Sequence, residues 1–107
     1  MMARALIHVP KTATQGSVIA IKTLISHPME TGYRHGDTGA RIPRNIINRF
    51  TCTYNGEEVF RADLHPAVAA NPYITFHTVA TETGVLAFTW VADDDETHTE
   101  LANITVD

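Results

Sequence analysis

Cysteine is almost missing from this 107-residue chain: Cys52 stands alone, so an internal disulfide is excluded, and no CxxC pair or zinc-type Cys/His spacing occurs. No apolar run approaches the roughly 18 residues that a membrane-spanning helix requires, so insertion in a membrane is not expected. Low-complexity tracts are absent too. With 44% hydrophobic and 19% charged residues, the composition is that of one folded domain over residues 1–107. A chain of this length buries about 65% of its unfolded surface around a single core and leaves no room for a second domain.

Charge of one sign is scarce in each half. Residues 50–107 hold one Lys/Arg against ten Asp/Glu, whereas residues 1–49 hold seven against two. The bland net charge of -4 conceals that asymmetry. A uniformly basic nucleic-acid binder is excluded by it, and no nucleic-acid partner is expected.

What the chain does contain is short alternating segments rich in Val, Ile, Thr, Phe and Tyr, separated by turn signals, the pattern of an all-β antiparallel sandwich. Seven strands are predicted: 3–9, 17–25, 45–54, 57–64, 73–81, 85–92 and 97–106. Asn55-Gly56 pins a hairpin between the third and fourth, because a type I′ turn needs positive φ at both central positions. Period two assigns Phe50, Cys52 and Tyr54 to the core face, with Phe60, Ala62 and Leu64 doing the same in the next strand. Ile21, Ile74, Phe76, Leu86, Phe88 and Trp90 complete the expected packing. Leu101 and Ile104 fall on opposite parities of the last strand, which predicts a bulge there.

Antiparallel succession sends alternate connections to opposite ends of a sandwich. One end receives the short links 10–16, 55–56 and 82–84. The other receives the loop 26–44, the loop 65–72 and the acidic turn 93–96. A connection as long as 26–44 in a compact domain is usually functional. That end gathers His27, Met29, Arg34, His35, Arg41, Arg44, His65 and Asn71 opposite Asp93, Asp94, Asp95 and Glu96. The acidic run reads either as a solvated hairpin turn or as the partner of Arg34, Arg41 or Arg44, and in the second case it orients the loop, each exposed pair contributing about 0–1 kcal/mol. His27-Pro28-Met29 and Asn71-Pro72-Tyr73 set stiff exits from the strands, and exposed Met or Tyr on stiff loops makes a pre-organised docking surface.

Catalysis requires a nucleophile with its base, or two carboxylates in different environments. Neither constellation is present. Cys52 shares its parity with core aromatics and reads as a small buried hydrophobe, while His8, His77 and His98 read as exposed. The expectation is a binding protein with no catalytic residue, no resident metal and no cofactor. The alternative is a periplasmic metal-binding sandwich domain using His27, His35 and His65 with Asp93 to Asp95.

Several blocks carry a family resemblance: Leu24-Ile25-Ser26-His27-Pro28-Met29-Glu30-Thr31-Gly32, Ile42-Pro43-Arg44, Ile46-Ile47-Asn48, Phe50-Thr51-Cys52, Ala70-Asn71-Pro72-Tyr73, and Phe88-Thr89-Trp90 before Asp93-Asp94-Asp95. Taken in order, they resemble the SoxZ family, the non-cysteine-arm half of the SoxYZ sulfur-carrier heterodimer of bacterial thiosulfate oxidation. Glu96 departs from the pattern, the family more often having a glycine there. The resemblance implies an immunoglobulin-like sandwich and a non-catalytic scaffold. Such a scaffold holds a SoxY-type subunit and helps present its cysteine-bound sulfur to the Sox cytochrome, hydrolase and dehydrogenase components. Cys52 lies mid-strand and Ile104-Thr105-Val106-Asp107 reads as strand, so the arm-bearing half is not expected here. The docking candidates are His27, Met29, Arg34, Arg44, Asn71, Tyr73, Asp93, Asp94 and Asp95, and isolation without the partner is expected to permit a homodimer. Residues 1–10 read alone as cytoplasmic, whereas the resemblance implies a periplasmic destination through co-export with a signal-bearing partner.

Overall fold

Alternation of apolar and polar residues is realised as a succession of strands. In the computed structural model, residues 4–33, 35–65, 68 and 70–107 are described, and none of them is helical. The strands are β1 (Arg4–His8), β2 (Thr12–Ala13), β3 (Val18–Ser26), β4 (Ile47–Tyr54), β5 (Glu57–Asp63), β6 (Tyr73–Val79), β7 (Gly84–Ala92) and β8 (Thr97–Val106). They form two sheets, one in the order β1-β3-β6 and one in the order β2-β8-β7-β4-β5. All pairings are antiparallel except the short β2–β8 contact. The result is the expected immunoglobulin-like sandwich.

Seven strands fall where the alternation puts them, and the eighth, β2, is two residues long. The expected bulge in the last strand does not occur: β7 and β8 stay in one register from Gly84↔Ile104 to Val91↔Thr97. Leu101 simply faces solvent at 65% exposure while Ile104 faces the core at 1%, so their opposite parities need no extra residue. The irregularities lie in β4 instead. A register shift between Ile47 and Arg49 lets Ile47 and Phe50, three residues apart, both point inward.

Every residue expected in the core is buried or half-buried: Ile21, Phe50, Cys52, Phe88 and Trp90 are sealed, Phe76 nearly so, and Phe60 packs at the margin. Phe50 is central. Its ring lies 5.1 Å from Trp90, 6.0 Å from Phe60, 6.1 Å from Phe76 and 6.3 Å from Phe88. Phe60 and Phe76 stack at 4.3 Å across the two sheets. Thr23 is the one hydroxyl on this face of β3, and its Oγ1 donates to the Ile74 carbonyl at 3.0 Å, which removes the cost of burying it.

Both ends of the sandwich gather the connections predicted for them. At one, the Gln15 amide donates to Thr81 O at 3.2 Å and Gly16 N–H to Ala80 O at 2.8 Å. The Tyr54 hydroxyl donates to the Glu82 carbonyl and accepts the Glu82 N–H there. Asn55 and Gly56 take φ of 51° and 85°, as the hairpin turn demands, and Asn55 Oδ1 accepts the Val85 N–H at 2.9 Å. Gly84 admits that side chain: a Cβ on Gly84 would lie 1.8 Å from Asn55 Oδ1. Truncating the largest sealed ring tests the packing. Trp90→Ala is expected to lower unfolding stability by about 3–5 kcal/mol, measured by urea titration. Less than about 1 kcal/mol would contradict the central position of these rings.

Candidate functional site

The other end is built on one carboxylate. β7 and β8 are joined by the acidic turn, in which Asp95 takes the left-handed φ of 64° and Asp94 Oδ1 accepts the Glu96 N–H at 3.1 Å. This geometry turns Asp93 back over the start of β4. Its Oδ2 accepts from Arg44 Nε at 2.7 Å and from Ile46 N–H at 3.2 Å, and its Oδ1 accepts from Arg44 Nη2 at 3.0 Å and Asn48 Nδ2 at 2.9 Å. Asp93 N–H donates in turn to Ile46 O at 2.9 Å. The guanidinium hydrogen bonds, with those from Asn48 and Ile46, hold the Asp93 carboxyl below its ordinary value of 3.8. The pair is two-pronged, with the Asp93 side chain 16% exposed and the Arg44 side chain 49% exposed. Asn45 adds a bond to Asp94 at 3.3 Å.

The long loop is less irregular than its sequence implies. Glu30 and Asn45 exchange both backbone hydrogen bonds, at 2.8 and 3.0 Å, and His35 bridges to Arg41, so the segment leaves and returns as a narrow ladder. Its root is tied to the 65–72 connection. Asn71, at φ 55°, accepts the His27 N–H on Oδ1 at 2.9 Å and gives its own N–H to His27 O at 2.8 Å. His27 is buried, and its Nδ1 accepts the Met29 N–H at 3.0 Å, which places the proton of the neutral ring on Nε2. Burial, opposed by Asp94 and Asp93, pushes the His27 imidazole below its ordinary 6.5. The Met29 Sδ accepts the Ile47 N–H at 3.3 Å.

These contacts correct the expectation of an exposed methionine. Met29 is 4% exposed and His27 3%, so both hold the loop root from within rather than presenting a surface. Tyr73 is outward at 61%. Arg44, Asn71, Asp94 and Asp95 are exposed and Asp93 half-buried, whereas Arg34 lies outside the described residues. His35, Arg41 and His65 are exposed. Of the other histidines, His8 and His77 are exposed as expected; His98 is not, its ring meeting Trp90 at 5.9 Å and Glu100 at 2.8 Å. Among the described residues no three His, Cys, Asp or Glu side chains converge as metal ligands, and His27 Nδ1 is already occupied. Sequence reasoning missed Asn48 and the Ile46 N–H as donors to Asp93. A lone Asn carries no spacing signal, and a backbone donor carries none at all.

The family profile described as "Sulphur oxidation protein SoxZ" matches residues 7–103. The chain belongs to the SoxZ family. No curated protein matches this SoxZ-family chain. Among solved structures it is similar to the superoxide reductase (neelaredoxin) of Ignicoccus hospitalis, with a TM-score of 0.75 and 16% identity over 96% of this chain and 80% of that one. It is also similar to the sulfur carrier protein SoxY of Chlorobium limicola f thiosulfatophilum, with a TM-score of 0.67 and 14% identity over 96% and 78%. A protein of Pyrococcus horikoshii matches with a TM-score of 0.60 and 11% identity over 94% and 84%. At these identities the likeness is one of fold.

Two acid-sensitive ties follow from this end. The unfolded chain protonates His27 near pH 6.5 while the folded chain resists, so stability supplied by neutral His27 is present above that pH and falls as pH drops below it. Asp93 acts lower, its contribution being lost as pH falls from 3.8 through its depressed folded value. Urea titrations across pH are expected to show both declines, and His27→Gln to lose the upper one. Asp93→Ala is expected to cost about 1.5–3 kcal/mol at neutral pH. A flat profile from pH 7 to 5 in the unsubstituted protein would contradict the His27 assignment.

Proposed function

We propose that this chain is the non-catalytic scaffold of a sulfur-carrier heterodimer, holding a SoxY-type subunit and helping present that subunit's cysteine-bound sulfur to the cytochrome, hydrolase and dehydrogenase components of thiosulfate oxidation. Membership of the SoxZ family supports a role in sulfur oxidation. The observation that carries the scaffold reading is the state of Cys52. It is fully buried in the centre of β4, and desolvation pushes its thiol up to about 12, so it is a thiol and not a thiolate at neutral pH. A sulfur carrier needs a reachable thiolate, and the only cysteine of this chain is neither reachable nor ionised. On this reading the sulfur rides on another subunit.

The locked loop end suits a presenting role. Docking that is repeated and released favours a surface already ordered before the encounter, since ordering a loop on contact weakens binding. Arg44, Asp93, Asn71 and His27 supply that order through side-chain bonds that need no partner. The periplasm, reached by export together with a signal-bearing SoxY-type subunit, is the compartment that goes with this reading.

The test is a reconstituted thiosulfate-oxidising mixture in which this chain is wild type or Cys52→Ala. Turnover is expected to be unchanged, with sulfur adducts found by mass spectrometry on the SoxY-type cysteine and none on Cys52. An adduct on Cys52, or failure of this chain to bind a SoxY-type protein at micromolar concentration, would overturn the proposal.

A further inference from the structure

Two apolar rows cross the outer face of the three-stranded sheet. Register aligns Leu6, Leu24 and Tyr73 across β1, β3 and β6 toward one end, and Val18 with Val79 at the other. Leu6 is 63% exposed, Val18 68%, Tyr73 61% and Val79 45%, so most of the large apolar side chains left in water among the described residues share this one face. Leu6, Leu24 and Tyr73 line a shallow groove there. A sheet face of this kind on a small domain marks an interaction surface.

The strand that joins both rows, β6, is also an open edge. The Pro72 carbonyl accepts the Ile25 N–H at 3.2 Å and the Ile74 carbonyl accepts Thr23 Oγ1 at 3.0 Å, so the even-numbered residues turn their backbone groups toward β3. Backbone direction alternates along a strand, and the N–H and C=O of Tyr73, Thr75, His77 and Val79 therefore face outward. Natural edges are usually blunted by charge, proline or a bulge. The edge of the other sheet is: β5 carries Glu57, Glu58, Arg61 and Asp63. In contrast β6 reads Tyr-Ile-Thr-Phe-His-Thr-Val, with no Lys, Arg, Asp, Glu or Pro.

We infer that this edge is covered by a second copy of the chain, β6 pairing antiparallel with itself about Phe76. In that register Tyr73 of one copy stands opposite Val79 of the other, and Thr75 opposite His77, each pair made of residues whose backbone groups face outward. The row Leu6–Leu24–Tyr73 then continues into Val79–Val18 of the second copy, and the twofold repeats it. Two three-stranded sheets become one of six strands with two unbroken apolar rows. A slip of two residues sets Tyr73 opposite His77 and breaks both rows, so side-chain pattern selects the register. β6 itself brings no fixed charge to the seam. The contact is isologous, as a closed dimer requires.

This inference is independent of the sulfur-carrier reading, and its test uses the chain alone. Sedimentation equilibrium from about 1 to about 100 µM is expected to show a dimer. Tyr73→Lys/Val79→Lys places like charges opposite each other twice and is expected to weaken the dimer at least about tenfold. Tyr73→Lys/Val79→Glu places opposite charges there and is expected to restore it. Circular dichroism identifies any variant that fails to fold. Hydrogen exchange of the wild-type chain reads the same seam without substitution: the amides of Thr75 and His77 gain protection as concentration rises. A wild-type monomer throughout, a dimer indifferent to the double-lysine variant, no rescue by the charge-paired variant, or no concentration-dependent protection would each overturn the inference.

Discussion

Phe50 is the contact on which the rest depends. Four aromatic rings meet it, three from its own sheet and Phe76 from the other, so it is the place where two sheets become one molecule. A chain with 7% aromatic residues has few such rings, and concentrating them at one point gives a narrow sandwich a core it otherwise lacks the width to build. The register of β4 serves this contact. Its shift near Ile47 keeps Ile47, Phe50, Cys52 and Tyr54 on the inner face despite a break in strict alternation.

From that core outward, the two ends are finished by different means. Backbone turns and two side chains, Tyr54 and Asn55, close the end of short links. The opposite end must hold a long excursion, and it does so by satisfying one carboxylate four times. Asp93 draws on Arg44, Ile46 and Asn48 because the acidic turn aims it at the start of β4, where those donors converge. Neutral His27 plays the complementary part at the loop root, accepting one backbone N–H while its own backbone pairs with Asn71. The charge asymmetry between the halves of the chain is thereby spent within the molecule, at least at Arg44 and Asp93, and is not simply a field offered to partners.

Cys52 belongs to the core. Deep burial makes the thiol a space-filling group beside Phe50 and Phe88, with an acidity far too weak for nucleophilic work at neutral pH. At the surface stand the Arg44–Asp93 end of the sandwich and the uncharged edge and outer face of β6.

Strand positions, the hairpin at Asn55-Gly56, the core aromatics and the sorting of connections to two ends were legible in the sequence, because each depends on period-two alternation or on the φ preference of one residue. Family blocks such as His27-Pro28-Met29 and Asn71-Pro72-Tyr73 marked the important segments without revealing their roles. Only the tertiary structure decided that Met29 and His27 lie inside, that Arg44 is the partner of Asp93, and that Asn48 and the Ile46 N–H complete its shell. It also decided that β6 is an edge and that Leu6, Leu24 and Tyr73 share a row. Alternation records which side of a strand a residue occupies. It carries no information on which strand lies next to it, and hydrogen bonds between segments more than 40 residues apart, such as His27 with Asn71 or Arg44 with Asp93, depend on that neighbour alone.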